Sequence, residues 1–211
     1  MTGKDEKSME QTPIFYTPEQ MEEILHFIRE TFGEGGEYDA HEVSSKYVHT
    51  DVAIIAPEGE GRTFVTFGMG ARPMNSPFAE WERTELVMFA SDGLDLLTKE
   101  GIAVAQELTG LSKYPFREDT WFGPGHTIDA SETFRETFGY DSFLFFGPGI
   151  DTHLTDVGNV KFLIAVPIYR EEREWIMEHD SFTFLEALLE LPEEDLFCAD
   201  VRRESLISDN P

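Results

Sequence analysis

Between Thr17 and Gly33 the apolar residues Met21, Ile24, Leu25, Ile28 and Phe32 recur three and four apart, the spacing of one face of an α-helix. Thr17, Pro18 and Gln20 supply an N-cap, a first-turn proline and a capping-box acceptor, so the helix is predicted to begin at Pro18 and to stop at Gly33. The run GEGGEY breaks it, and from Val43 the period falls to two. Val48, Val52 and Ile54 then share one side while Tyr47, His49, Asp51, Ala53 and Ile55 share the other, which predicts a long strand. Glu58 to Gly61 reads as a turn, Thr63 to Phe67 as the returning strand of a hairpin, and Arg83 to Phe89 as a third strand. The intervening Gly68 to Trp81, with Pro73, Asn75, Ser76 and Pro77, predicts an exposed connecting loop able to display side chains.

Leu97, Val104, Leu108 and Leu111 mark a helical stripe within Leu94 to Leu111, with Pro115 beyond its end. Phe143 to Phe146 and Val160 to Ile168 predict two strands, the second apolar enough on both faces to lie centrally in a sheet. Two short helices are expected at Glu171 to His179 and Thr183 to Leu191, the latter capped by Thr183 with Glu186, and a short strand at Leu196 to Val201. This order fits neither strict βαβ alternation nor a helical bundle, and no repeat of solenoid period occurs. The expectation is one α+β domain, a mixed central sheet flanked by helices, over 14–205, with tails at 1–13 and 206–211.

Charge narrows the function. Forty-two acidic against 16 basic residues give a formal net charge of −26, which disfavours a nucleic-acid partner, whose counterions must be displaced by lysine and arginine, and favours capture of a basic protein. Cys198 is the single cysteine, so no internal disulfide and no thiolate metal cluster can form. No apolar run of membrane-spanning length occurs and the first residues carry no export pattern, so a cytoplasmic protein without a membrane partner is expected.

Catalytic patterns are sparse. Gly68, Gly70 and Pro73 miss the third glycine of a dinucleotide fingerprint, and the glycines of GPGH at 123–126 and GPGI at 147–150 are better explained by turns than by phosphate contacts. No serine stands in a GxSxG elbow, and Cys198 between Phe197 and Ala199 predicts a buried, inert thiol. Glu85 alternates with Leu86 and Met88 and reads as a solvent-facing or arginine-paired carboxylate. Arg72, Arg83, Arg202 and Arg203 are expected to pair with carboxylates of the same chain as readily as with a ligand. The enzymatic alternative is a metal-dependent hydrolase in which His49 and Asp51, two apart on one strand, are joined by His126 or Glu85; short of that, no catalytic residue, cofactor or metal is expected.

One set of ordered stretches carries more weight than any of these. HEVSSKYVHTDVAIIAPEGEGRTFVTFGMGARPM at 41–74, RTELVMF at 83–89, GPGHTI at 123–128, VKFLIAVPIYREE at 160–172, the Phe/Leu-rich helix at 182–189 and ADVRRES at 199–205 together resemble the Suppressor of fused family, in its bacterial single-domain form. The resemblance implies the same mixed α/β architecture, without the second domain of animal members, and a function in protein recognition. Animal members sequester a zinc-finger transcription factor of the Hedgehog pathway. Bacterial single-domain members resemble immunity proteins that neutralise secreted toxins, and an acidic domain suits a basic toxin partner. The resemblance further implies that a bound peptide adds as a strand beside the hairpin, with Phe64 at the family's aromatic position. Phe64, Met69, Arg72 and Met74 are the protein-binding candidates it yields, with hairpin packing and loop structure as the other reading of the same residues.

Overall fold

The computed structural model describes residues 12–35, 38–42, 46–191 and 197–207. The first helix, α1 (Pro18–Phe32), begins at the expected capping box: Thr17 accepts from the Gln20 amide while the Gln20 side chain accepts from the Thr17 amide. Its end is set by Gly33, whose φ of 102° an L side chain would resist. Ile24 and Ile28 are fully buried beneath it.

The strand expected from Val43 is shorter, and another precedes it. β1 (Tyr38–Ala40) lies where the glycine run was read as a break, and β2 (Asp51–Ile55) starts only at Asp51. Val48 makes an isolated bridge to Ile14, and Val43 lies outside the described residues. β3 (Arg62–Phe67) returns antiparallel to β2 as predicted, and β4 (Thr84–Ala90) follows. α2 (Lys99–Leu111) is shorter than its stripe, since Thr98 caps it and Leu97 falls in the preceding turn with 86% of its surface exposed.

Four elements follow where one or none was expected: α3 (Tyr114–Glu118), β5 (Thr127–Asp129), α4 (Glu132–Phe138) and, after β6 (Ser142–Phe146), the short β7 (Asp151–Leu154). β8 (Gly158–Ile168), α5 (Arg170–Glu178) and α6 (Ser181–Leu188) complete the chain. The cap of α6 is Asp180, which accepts from the Thr183 amide, and not Thr183 itself. Near the end, Leu196 of the expected strand lies outside the described residues, the described remainder makes a single bridge between Cys198 and Phe89, and Cys198 is partly exposed where a buried thiol was expected.

The strands form one eight-stranded sheet in the order β1-β2-β3-β4-β8-β6-β5, with β7 added to β8. Its pairs are antiparallel except β4 with β8, which makes it a mixed sheet. β8 is central, as its apolar run predicts: β4 lies on one flank, β7 and β6 share the other, and seven consecutive residues from Phe162 to Ile168 are buried. Helices cover both faces. Phe64, Leu86, Leu163 and Phe143 meet α2 and α4 on one side, while Val65, Val87, Phe162 and Leu144 meet α1, α5 and α6 on the other.

The residues after β8 are strapped back over the sheet. Arg203 is buried against Glu172 of α5 in a two-pronged ion pair, Nη2 lying 2.7 Å from Oε2, beside the paired rings of Tyr140 and Tyr169. The Leu206 amide also donates to Glu172. Arg202 donates to the Phe138 carbonyl, and both arginines thus serve the fold.

Candidate functional site, an open sheet edge

The four residues expected to touch a partner are placed by one carboxylate. Glu85, fully buried on β4, accepts hydrogen bonds from the Tyr16 hydroxyl at 3.0 Å, the Thr66 hydroxyl at 2.7 Å and the amides of Gly68, Met69 and Gly70 at 2.9, 3.3 and 2.9 Å. It is neither solvent-facing nor arginine-paired; Arg83 spends Nη1 on the carbonyls of Gly70 and Ala71. Burial pushes the Glu85 carboxyl up to about 7, against the pull of its five donors. A tight turn is thereby folded inward where a displaying loop was expected, and Met69 and Met74 join Phe64 in the core. A partner cannot reach these three without opening the hairpin. Arg72 alone is half-exposed, its guanidinium 5.3 Å over the Phe116 ring and 3.5 Å from the Tyr47 carbonyl. Nor does the hairpin offer a place for an added strand, because β1 occupies its β2 side and β4 its β3 side.

The constellation for a metal hydrolase is not assembled. His49 and Asp51 do meet, at 3.2 Å, and His41 lies 3.2 Å from the other Asp51 oxygen. The same carboxylate also takes the Glu42 amide at 2.8 Å, while Glu42 itself pairs with Lys113. His126 stands elsewhere, against Trp121, and Glu85 is enclosed by its donors. Among the described residues no group of three or more His, Cys, Asp or Glu side chains is arranged to hold a metal ion.

What the fold does leave open is β5. Among the described residues it pairs with β6 alone. The His126 carbonyl accepts from the Phe145 amide and the Ala130 amide donates to the Asp141 carbonyl, both at 2.9 Å, so these positions face β6. By the alternation of an antiparallel ladder, Thr127 and Asp129 turn their amides and carbonyls outward, away from β6. That outer side is the floor of a cleft of about 1140 Å³, walled by the end of α2, by α3 and by the segment from α5 into α6.

Local sequence explains the cleft. Gly125, at φ 83°, turns the chain into β5, and a Cβ there would lie 2.5 Å from the Ser181 hydroxyl, so α6 packs directly on the turn. Gly123 lets the Trp121 indole lie on the backbone, where a Cβ would come within 2.3 Å of the ring. Trp121 in turn holds His126 edge-on at 4.4 Å. Burial lowers the His126 pKa, which keeps the imidazole neutral at neutral pH and makes this wall an uncharged aromatic surface. Buried Glu107 accepts the Ser131 amide at 2.9 Å and fixes the start of α4 to α2, burial raising its carboxyl above the ordinary range. On the far wall Arg173 is paired with Asp129, and Arg170 with Asp141 at 3.0 Å, which ties α5 to the edge.

Three exposed apolar side chains stand at or beside the cleft, Phe78, Met177 and Phe182 being 55%, 71% and 58% exposed, next to a lining that also carries Arg117, Glu118, Asp129 and Asp180. Phe78 packs on Trp121, Met177 lines the cleft, and Phe182 borders Gly125. An extended backbone edge open to a cleft suits strand addition, in which main-chain hydrogen bonds hold a peptide and pockets read its alternate side chains.

Comparison with known proteins agrees with this architecture. The sequence model of the Suppressor of fused protein family matches residues 46–204. Among solved structures, the SUFU homolog from Neisseria gonorrhoeae FA 1090 is 17% identical with a TM-score of 0.62, over 87% of this chain and 94% of that one. The structure of a Sufu–Fu complex matches at 13% identity and a TM-score of 0.64, over 90% and 93%. Drosophila Suppressor of Fused matches at 13% and 0.62, over 89% of this chain but 51% of its own. Among curated proteins none matches in sequence. At such identities the structural likeness is one of fold, whereas the family match spans most of the chain. The chain belongs to the Suppressor of fused family.

Proposed function

We propose that this domain binds a partner polypeptide without turnover, taking an extended segment of it as an added strand on β5, and that the partner is a basic toxin which it neutralises in the cytoplasm. The observation that carries the reading is the outward-facing backbone of Thr127 and Asp129 at the floor of the cleft, with exposed Met177 on its wall. Membership in a family of protein-interaction domains supports it, as does the structure of one relative as a complex, Sufu with Fu. The net charge of −26 supports a basic partner, since long-range attraction speeds its capture and repels acidic competitors. Arg72, half-exposed beside α3, is the one cation we propose as a further contact.

The test is co-expression with the product of the neighbouring gene, followed by binding of the purified pair. The expected outcome is a stable complex, an association rate that falls steeply with salt, and relief of toxicity. Thr127→Pro removes an outward amide that the fold does not use, so it should leave the circular dichroism spectrum intact and abolish binding. A complex that forms equally well with Thr127→Pro would sink the strand-addition reading, and a partner with no toxic effect on cells would sink the immunity role.

A further inference from the structure

A second groove, of about 620 Å³, lies between β1 and α2. Ala40, Ile54, Leu96 and Ala105 form its apolar part, Leu97 and Ile102 stand on it 86% and 46% exposed, and Asp39, His41, Glu42 and Lys113 line it as well. β1 presents a second open edge, pairing among the described residues with β2 alone. Only one element separates this groove from the β5 cleft. Gln106 and Gly110 of α2 line both cavities.

Gly110 is the informative residue. A glycine inside a helix costs about 1 kcal/mol relative to alanine. Gly101 of the same helix has a packing reason for this, because a Cβ there would lie 2.6 Å from the Asp95 carbonyl. At Gly110 a Cβ would meet nothing within 4 Å, so the fold makes no demand on it. What its missing side chain leaves is a notch in the ridge between the two grooves.

We infer that the segment captured at β5 continues through this notch and seats apolar side chains in the groove beside β1, so that one partner polypeptide occupies both. The inference rests on the strand-addition reading above. A second copy of this chain is a poor occupant, since each brings a charge of −26. Asp39 lines the groove, Lys113 there is paired with Glu42, and Asp95 and Glu100 are exposed next to its lining residues Leu96 and Gly101, a negative balance that fits a segment in which lysine or arginine alternates with apolar residues.

The experiment needs no knowledge of the natural partner. Random peptides of about sixteen residues, roughly 50 Å when extended, are displayed and selected on the wild-type protein. The best binders and their half-length fragments are then measured against Gly110→Trp and Thr127→Pro. At Gly110 a Cβ stands in open space at an exposed position and Gly110→Trp gains helix propensity, so its melting temperature should equal or exceed wild type. It should weaken the long peptides by roughly tenfold or more, as should Ile102→Ser, measured alongside; Ile102 lines the second groove and not the β5 cleft, so that variant should leave the fragments that bind at β5 unchanged, while Thr127→Pro abolishes both. Long peptides indifferent to Gly110→Trp yet lost on Thr127→Pro would overturn the continuous track and leave the β5 reading standing. Long peptides indifferent to Thr127→Pro, or a selection that returns no binder, would overturn both.

Discussion

Two glycine-containing segments of this molecule, the turn at Gly68–Gly70 and the edge strand entered through Gly123–Gly125, look alike in composition and do opposite things. In the first, every amide is turned inward onto Glu85 and the flanking strands are paired on both sides. In the second, the glycines let Trp121 and α6 close on the turn, and the strand that follows keeps its outer backbone unpaired by β6. One region saturates its hydrogen bonds within the chain, so its side chains are spent on stability. The other leaves backbone donors and acceptors at a protein surface, where another chain can satisfy them.

If the comparison holds, the closed turn must be intolerant. Gly68 has a φ of 122°, and a Cβ there would lie 2.1 Å from the His49 carbonyl. Gly68→Ala is therefore expected to cost about 3–4 kcal/mol, read as a fall in denaturation midpoint with the slope unchanged. A loss below about 1 kcal/mol would show that the turn can relax, and that it belongs with the adaptable surfaces.

The carboxylate at the centre of the turn gives a finer test. The unfolded chain ionises Glu85 near 4.5, and the folded chain near 7 because burial outweighs its five donors. Below about 4.5 both states hold the proton and this group adds no slope. Between there and about 7 only the folded state holds it, so stability falls as pH rises, by at most about 1.4 kcal/mol per unit, and above that window the penalty is constant. Glu85→Gln mimics the protonated carboxyl while setting an amide donor against neighbouring donors. It should destabilise by about 1–2 kcal/mol near pH 5, with the deficit shrinking toward pH 8. A deficit that instead grows with pH would mean that Tyr16, Thr66 and the three amides hold the carboxylate ionised.

The same contrast explains what could be read from the chain alone. α1, β3, β4, β6, β8 and α5 are long or strongly periodic, so apolar spacing and caps located them within a residue or two. β1, β5 and β7 have three or four residues each, too few for a period to register, and exist because a neighbouring strand offers pairing. α4 did carry a signal, Ser131 as cap, Glu132 in the first turn and Gly139 past the end, but its seven residues are stabilised chiefly by Phe134 and Phe138 against the core. The burial of Phe64, Met69 and Met74 escapes the sequence for a related reason. Gly68, Pro73 and Asn75 look like loop chemistry, and only the long-range contact with Glu85, seventeen residues from Gly68, turns that segment inward. Nothing local distinguishes it from GPGH, whose edge does stay open. In both places the glycines are legible as turns, and which way the amides point is decided by partners remote in sequence.

The smallest expected effect on stability is the one that separates a surface kept apolar for binding from one that is merely tolerated. Met177 is 71% exposed on the wall of the cleft, so Met177→Ser removes almost no buried area and should change stability by no more than about 0.5 kcal/mol. If Met177 is part of the rim that closes over an added strand, the same substitution should weaken a β5-bound peptide by several-fold, mostly through faster dissociation, because apolar rim contacts act after encounter whereas charge governs the approach. Salt should not alter that ratio, since the lost contact carries no charge. Equal affinities for wild type and Met177→Ser would place the recognition in the backbone edge alone. The cleft walls would then serve only to keep other strands out, and β5 and the Glu85 turn would differ in pairing but not in side-chain purpose.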